Sequence, residues 1–103
     1  MHRWKRGELL IVYYIAKYGY SGLPLEKSKI LDVIPVSQFV LETRLELFRY
    51  LMGFTGASIQ GGSKEMKDLV KEYDNITISN TRKHIDDYIT GRDEPSNQLN
   101  FKF

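Results

Sequence analysis

Three short stretches of this chain carry residue types that could do chemistry. His84-Ile85-Asp86-Asp87 joins a histidine to two carboxylates, and on a helix His84 and Asp87 lie three residues apart on one side, so a divalent cation could touch both. Two ligands from one helical turn do not complete a coordination sphere, and no second histidine pair or glutamate-rich segment stands elsewhere. The chain has no cysteine, which removes disulfides, thiolate ligands and a cysteine nucleophile. The stretch reads as the polar face of a helix, and neither a metal nor a cofactor is expected. Gly61-Gly62-Ser63-Lys64 has the composition of the end of a phosphate-binding loop, where glycines before a helix expose backbone N–H groups to an anion. A nucleotide loop also needs an earlier glycine and a preceding strand, and here Ser and Lys stand in reversed order, so nucleotide hydrolysis is excluded. Two readings stay open for it: a contact to one DNA phosphate with Lys64 alongside, or a capped helix after a loop.

The third stretch is Pro35 to Leu51 (PVSQFVLETRLELFRYL), in which a turn and a helix-capping Ser37 precede a run carrying Gln38, Thr43, Arg44 and Arg49. Helix, short turn and capped helix is the arrangement that presents a second helix to the major groove of DNA. The four polar residues could then reach phosphates or base edges. Glu42 and Glu46 share the exposed side and cancel Arg44 and Arg49, and helix pairs of this kind also occur in any bundle.

These stretches need helices to position them, and the hydrophobic spacing supplies about five. Glu8 to Tyr18 (ELLIVYYIAKY) is apolar almost all round, as in a helix buried on most of its surface, and Gly19 to Pro24 stops it. A short helix fits Leu25 to Ile34, ended by Pro35. The third helix runs from Gln38 to Met52 with Leu41, Leu45, Phe48 and Met52 as its core stripe, Gln38, Glu42, Glu46 and Arg49 on the opposite side, and Gly53 as terminator. Residues 53 to 62 form a glycine-rich loop. Ser63 caps a fourth helix in which Met66, Leu69, Val70 and Tyr73 repeat at helical spacing. Asn75 to Ser79 is either a short strand or a linker whose Ser79 caps a last helix, Asn80 to Thr90, with Ile85, Tyr88 and Ile89 inward. The expected fold is all-α: a small compact bundle with a helix-turn-helix-like core, one domain over residues 1 to 91. In the tail, residues 92 to 103, Leu99, Phe101 and Phe103 alternate as in a short edge strand, and a frayed end is the competing reading.

Length and charge bound the partners. A chain of 103 residues suits one domain and leaves no room for an enzyme domain with accessory modules. Fifteen Lys and Arg against thirteen Asp and Glu give a formal net charge of +2, too small an excess to mark a nucleic-acid protein by itself. The basic start and the apolar run Leu9 to Ala16 imitate a short signal core without a small-residue cleavage pattern, and the run is too short to span a bilayer. A cytoplasmic protein with no membrane association is expected.

The order Trp4-x-x-x-Glu8-Leu9, Gly22-Leu23, Ser37 before a helix with Arg44-Leu45-x-x-Phe48-x-x-Leu51, and a loop ending Gly62-Ser63-Lys64 before an amphipathic helix resembles the N-terminal helical region of bacterial HNH-type restriction endonucleases. The resemblance covers residues 4 to 73. It implies DNA contact through the third helix and the glycine-rich loop, with Arg44 and Lys64 at positions where that family carries basic residues. Leu47 and Met52 depart from its usual Asn and Asp, and the histidine and asparagine cluster of the nuclease is missing, so no enzyme activity is expected. Two functions follow. The first is a non-catalytic protein that binds double-stranded DNA, phage or mobile-element encoded, with Arg3, Lys5, Arg6, Lys64 and Lys67 on phosphates and Gln38, Thr43, Arg44 and Arg49 toward the groove, acting as a homodimer or with another partner because one copy would bind weakly. The second is a protein-binding inhibitor or adaptor, such as a phage counter-defence protein that blocks a host defence complex; the near-neutral third helix suits it.

Overall fold

The computed structural model describes residues 2–54 and 61–91, and among these the fold is all-α: five α-helices, one 3₁₀ turn and no strand. The first helix, α1 (Arg6–Tyr18), is the axis of the bundle, since every residue from Glu8 to Ala16 is buried. A helix apolar on all sides must be enclosed on all sides. Helices α3 (Gln38–Leu51), α4 (Lys64–Tyr73) and α5 (Ile78–Ile89) pack around it, α3 most extensively, and α3 also packs on α4. The short α2 (Ile30–Val33) continues a 3₁₀ turn at Lys27–Lys29 and anchors its segment through Ile30 and Ile34.

Burying α1 requires a partner for each of its polar atoms. The Glu8 carboxylate, 2% exposed, accepts the Lys5 backbone N–H at 2.8 Å and lies 2.9 Å from His2 Nε2. It satisfies one of the unpaired donors of the first turn and places negative charge at the positive end of the helix dipole. Tyr14 donates its hydroxyl to the Ser21 carbonyl at 2.8 Å and accepts from Arg82 Nε at 2.8 Å, which ties the loop after α1 to α5. The Tyr13 hydroxyl accepts from Lys17 Nζ at 3.1 Å.

The helix ends follow the sequence closely at three places and depart at three. Ser37 and Ser63 cap α3 and α4 by accepting the Val40 and Met66 N–H groups at 3.1 and 3.3 Å, and Gly53, at φ 80°, ends α3. The expected helix over 25–34 is a 3₁₀ turn followed by four α-helical residues. Met52 caps α3 instead of continuing it. The segment 75–79 contains no strand, and the cap of α5 is Thr77, whose Oγ1 accepts the Asn80 N–H at 3.1 Å, so the helix starts two residues earlier than Ser79 would allow. The tail, 92–103, and the middle of the glycine-rich loop, 55–60, lie outside the described residues.

Gly7 sets the distance between α1 and α5: a Cβ there would run into the ring of Tyr88. Replacing a helical glycine by alanine ordinarily gains about 1 kcal/mol of propensity, but here the overpacking costs about 1–3 kcal/mol. Gly7→Ala is therefore expected to lower stability by about 1 kcal/mol, read as a lower urea midpoint at unchanged slope.

Candidate interaction surface

The residues expected to contact DNA do not form one surface. On α3, Gln38 donates from Nε2 to Glu42 Oε2 at 3.0 Å, Thr43 donates its hydroxyl to the Phe39 carbonyl at 2.9 Å, and Arg49 Nη1 lies 2.8 Å from Glu46 Oε2. Arg44 turns away from the other three. Its guanidinium stacks 4.8 Å over the Trp4 ring and donates from Nη1 to Met66 Sδ at 3.2 Å, so one side chain holds α3, α4 and the segment before α1 together. Burial lowers the Arg44 pKa from its ordinary value, and the Glu65 carboxylate acts in the opposite direction.

Lys64, at the start of α4, pairs with Asp68 at 2.7 Å, one turn along the same helix. The hydrogen bond from Lys64 holds the Asp68 carboxyl below the usual carboxylate range. Lys67 is exposed on α4, and Arg3 and Lys5 are exposed ahead of α1, where Arg6 pairs with Glu72. The cations thus divide among the N-terminal segment, the outer side of α4 and one flank of α3, interleaved with carboxylates. His84 Nδ1 lies 2.8 Å from the Tyr73 hydroxyl, which gives the histidine of the His-Asp-Asp stretch a packing partner. Among the described residues no three His, Asp or Glu side chains group as metal ligands would, and no helix is long and apolar enough to cross a membrane.

Beside the exposed Gln38, Glu42 and Arg49, α3 leaves three apolar side chains outward. Phe39 is 77% exposed, Tyr50 41% and Val40 37%. At roughly 100° per residue, Phe39, Thr43 and Tyr50 stand opposite the buried Leu41, Leu45 and Phe48, with Val40 and the half-buried Leu47 beside them. The polar row of Gln38, Glu42, Glu46 and Arg49 occupies a flank, not the side opposite the core as the sequence reading has it. A separate open groove of 490 Å³, lined by Tyr20, Ile30, Leu31 and Leu41 with Lys27 and Gln38, lies near the start of α3 on the other side of the polar row. The signal was present in the sequence as the spacing of Phe39, Thr43 and Tyr50. It is hidden in a stripe count because the same helix has a second, stronger apolar row.

Searches against protein-family models, curated proteins and solved structures find no match for the chain. The likeness to the endonuclease N-terminal region therefore rests on its residues alone.

Arg44→Ala is expected to lower stability by about 1–2 kcal/mol, because it removes both a cation–π contact and the apolar stem that covers Trp4. Trp4 is the sole tryptophan, so its emission should shift to longer wavelength in the folded variant. Arg49→Ala, at an exposed arginine whose partner is a half-buried i,i+3 carboxylate, should change stability by less than about 1 kcal/mol.

Proposed function

We propose that this domain is a non-catalytic protein-binding module, an inhibitor or adaptor, that meets its partner through the outward face of α3. The observation that carries the reading is the exposure of Phe39 and Tyr50 on one face of a regular helix. Centres of protein interfaces are enriched in aromatic side chains and depleted of charge, whereas a surface for DNA gathers positive charge. On α3 the order is reversed from what a groove-reading helix needs. The side opposite its core row carries rings, its arginine nearest the middle is engaged with Trp4 and Met66, and Glu42 and Glu46 would face the phosphates.

α2 spans four residues, and the principal packing partners of α3 are α1 and α4, so the pair around Pro35 lacks the extended first helix that crosses the DNA backbone in helix-turn-helix proteins. These features favour a protein partner over double-stranded DNA, the other reading of the sequence.

The test is site-specific photo-crosslinking in producing cells, with a photoreactive phenylalanine analogue at position 39 and, as control, at the exposed Lys83 on α5. A discrete protein adduct is expected from position 39, absent from position 83 and lost when Tyr50→Asp is added. In parallel, a labelled duplex should give no salt-sensitive anisotropy change. Salt-sensitive duplex binding weakened by Arg49→Ala and Lys67→Ala, with no adduct from position 39, would reverse the assignment in favour of DNA.

A further inference from the structure

The outward face of α3 is complementary to itself. Phe39 stands near the start of the helix and Tyr50 near its end, with the small Thr43 between them. On one flank the acid Glu42 precedes the base Arg49; on the other, Val40 precedes Leu47. Each of these three pairs therefore exchanges its members when the helix is reversed end to end. Their midpoints nearly coincide: Phe39 and Tyr50 centre between Arg44 and Leu45, Glu42 and Arg49 between Leu45 and Glu46, and Val40 and Leu47 between Thr43 and Arg44. At about 1.5 Å of rise per residue, the three centres fall within about 3 Å along the axis.

We propose that the partner seated on this face is a second copy of the chain, docked as an antiparallel α3–α3 pair about a two-fold axis; the proposal rests on the reading of α3 as a protein-binding surface and names its occupant. A two-fold axis perpendicular to two antiparallel helices keeps each flank on its own side, so like flank meets like flank with the order reversed. Phe39 of each copy then covers Tyr50 of the other, Val40 meets Leu47, and Glu42 meets Arg49. Thr43 sits at the crossing, where a small side chain lets the helices approach. The charges at the rim favour this orientation: a parallel two-fold pair would exchange the flanks and set Glu42 and Arg49 of one copy against Val40 and Leu47 of the other, with no opposite charge to meet.

The exposed fractions of Phe39, Tyr50 and Val40 amount to on the order of 300 Å² of side chain, given about 150–250 Å² for a whole aromatic residue. With the flanks added, the patch reaches the small end of protein interfaces, about 600 Å² per partner. A weak, reversible dimer is the expected result, with a dissociation constant on the order of 10–100 μM.

The experiment is sedimentation velocity on the full chain from about 10 μM to about 1 mM, the range that brackets such a constant. The wild type should pass from monomer to dimer across it. Phe39→Asp, at a side chain that is 77% exposed and so outside the core, should remain folded by circular dichroism and weaken association by at least about 30-fold. Glu42→Arg alone sets arginine against arginine across the pair, and Arg49→Glu alone sets glutamate against glutamate, each twice per dimer; each should weaken self-association about tenfold. Mixed in equal amounts, the two variants place opposite charges at both rim contacts, because one chain then carries arginine at positions 42 and 49 and the other carries glutamate at both. The mixture should therefore recover wild-type association as a heterodimer. A wild type that stays monomeric throughout, or a mixture no better than its components, overturns the proposal. The failures separate: an adduct from position 39 whose mass is not twice that of the chain leaves α3 a protein-binding surface with another occupant, and no adduct removes both.

Discussion

The enclosure of α1 is the constraint on which the rest of the fold depends. Nine consecutive residues, from Glu8 to Ala16, lie away from solvent, so no single neighbouring helix could cover them. Three helices are needed, and each must donate one face and leave another outward. The polar atoms of α1 fix how those helices sit: Tyr14 reaches both Ser21 and Arg82, and Glu8 closes the first turn. An unpaired hydroxyl or carboxylate at these depths would cost about 1–3 kcal/mol or more, which makes such contacts specific as well as stabilising.

From this enclosure follows the division of labour on α3. Its inner row, Leu41, Leu45 and Phe48, is consumed by α1, and its edge toward α4 is held by Arg44 between Trp4 and Met66. Arg44 is charged by type but structural by position: its stem and guanidinium fill the seam among three segments, which an arginine can do because its planar group stacks and is weakly hydrated. The outward row is the part of α3 that the bundle does not use.

The helices themselves were largely legible in the sequence, because caps and terminators act locally. Ser37, Ser63 and Gly53 could be placed from side-chain chemistry alone. The start of α5 was not, since Thr77 and Ser79 are both competent caps and the choice depends on packing: starting at Ile78 puts Thr81 and Ile85 into the core. The engagement of Arg44 was also beyond the sequence, for its partners, Trp4 and Met66, lie far away along the chain and meet only when α1 and α4 have docked. For the outward face the residues are visible in the sequence but the pattern misleads, because a row of charged residues ordinarily marks the side opposite the core. On this helix with two apolar rows, the exposed charges Glu42 and Arg49 run along the flank between them, and Arg44 lies on the other edge, toward α4.

The proposal of a protein partner rests on the balance of exposed charge against exposed apolar surface. Association with a polyanion draws on unpaired positive charge, since each phosphate contact gains from released counterions. In this chain Arg6, Arg49 and Lys64 each have a carboxylate within 2.8 Å, and the formal net charge is +2, so contacting phosphate would first break local pairs. Phe39 is in the opposite position. Its ring is held by a regular helix, so little backbone ordering remains to be done on binding, and covering most of it removes apolar surface from water at about 25 cal/mol per Å², or roughly 2–4 kcal/mol for one side chain. Among the described residues the other exposed large apolar side chains lie between 37 and 42%, about half as open as Phe39 at 77%. The gain available from covering α3 is therefore concentrated at one ring and its neighbours, which is how a small surface can be specific without being large.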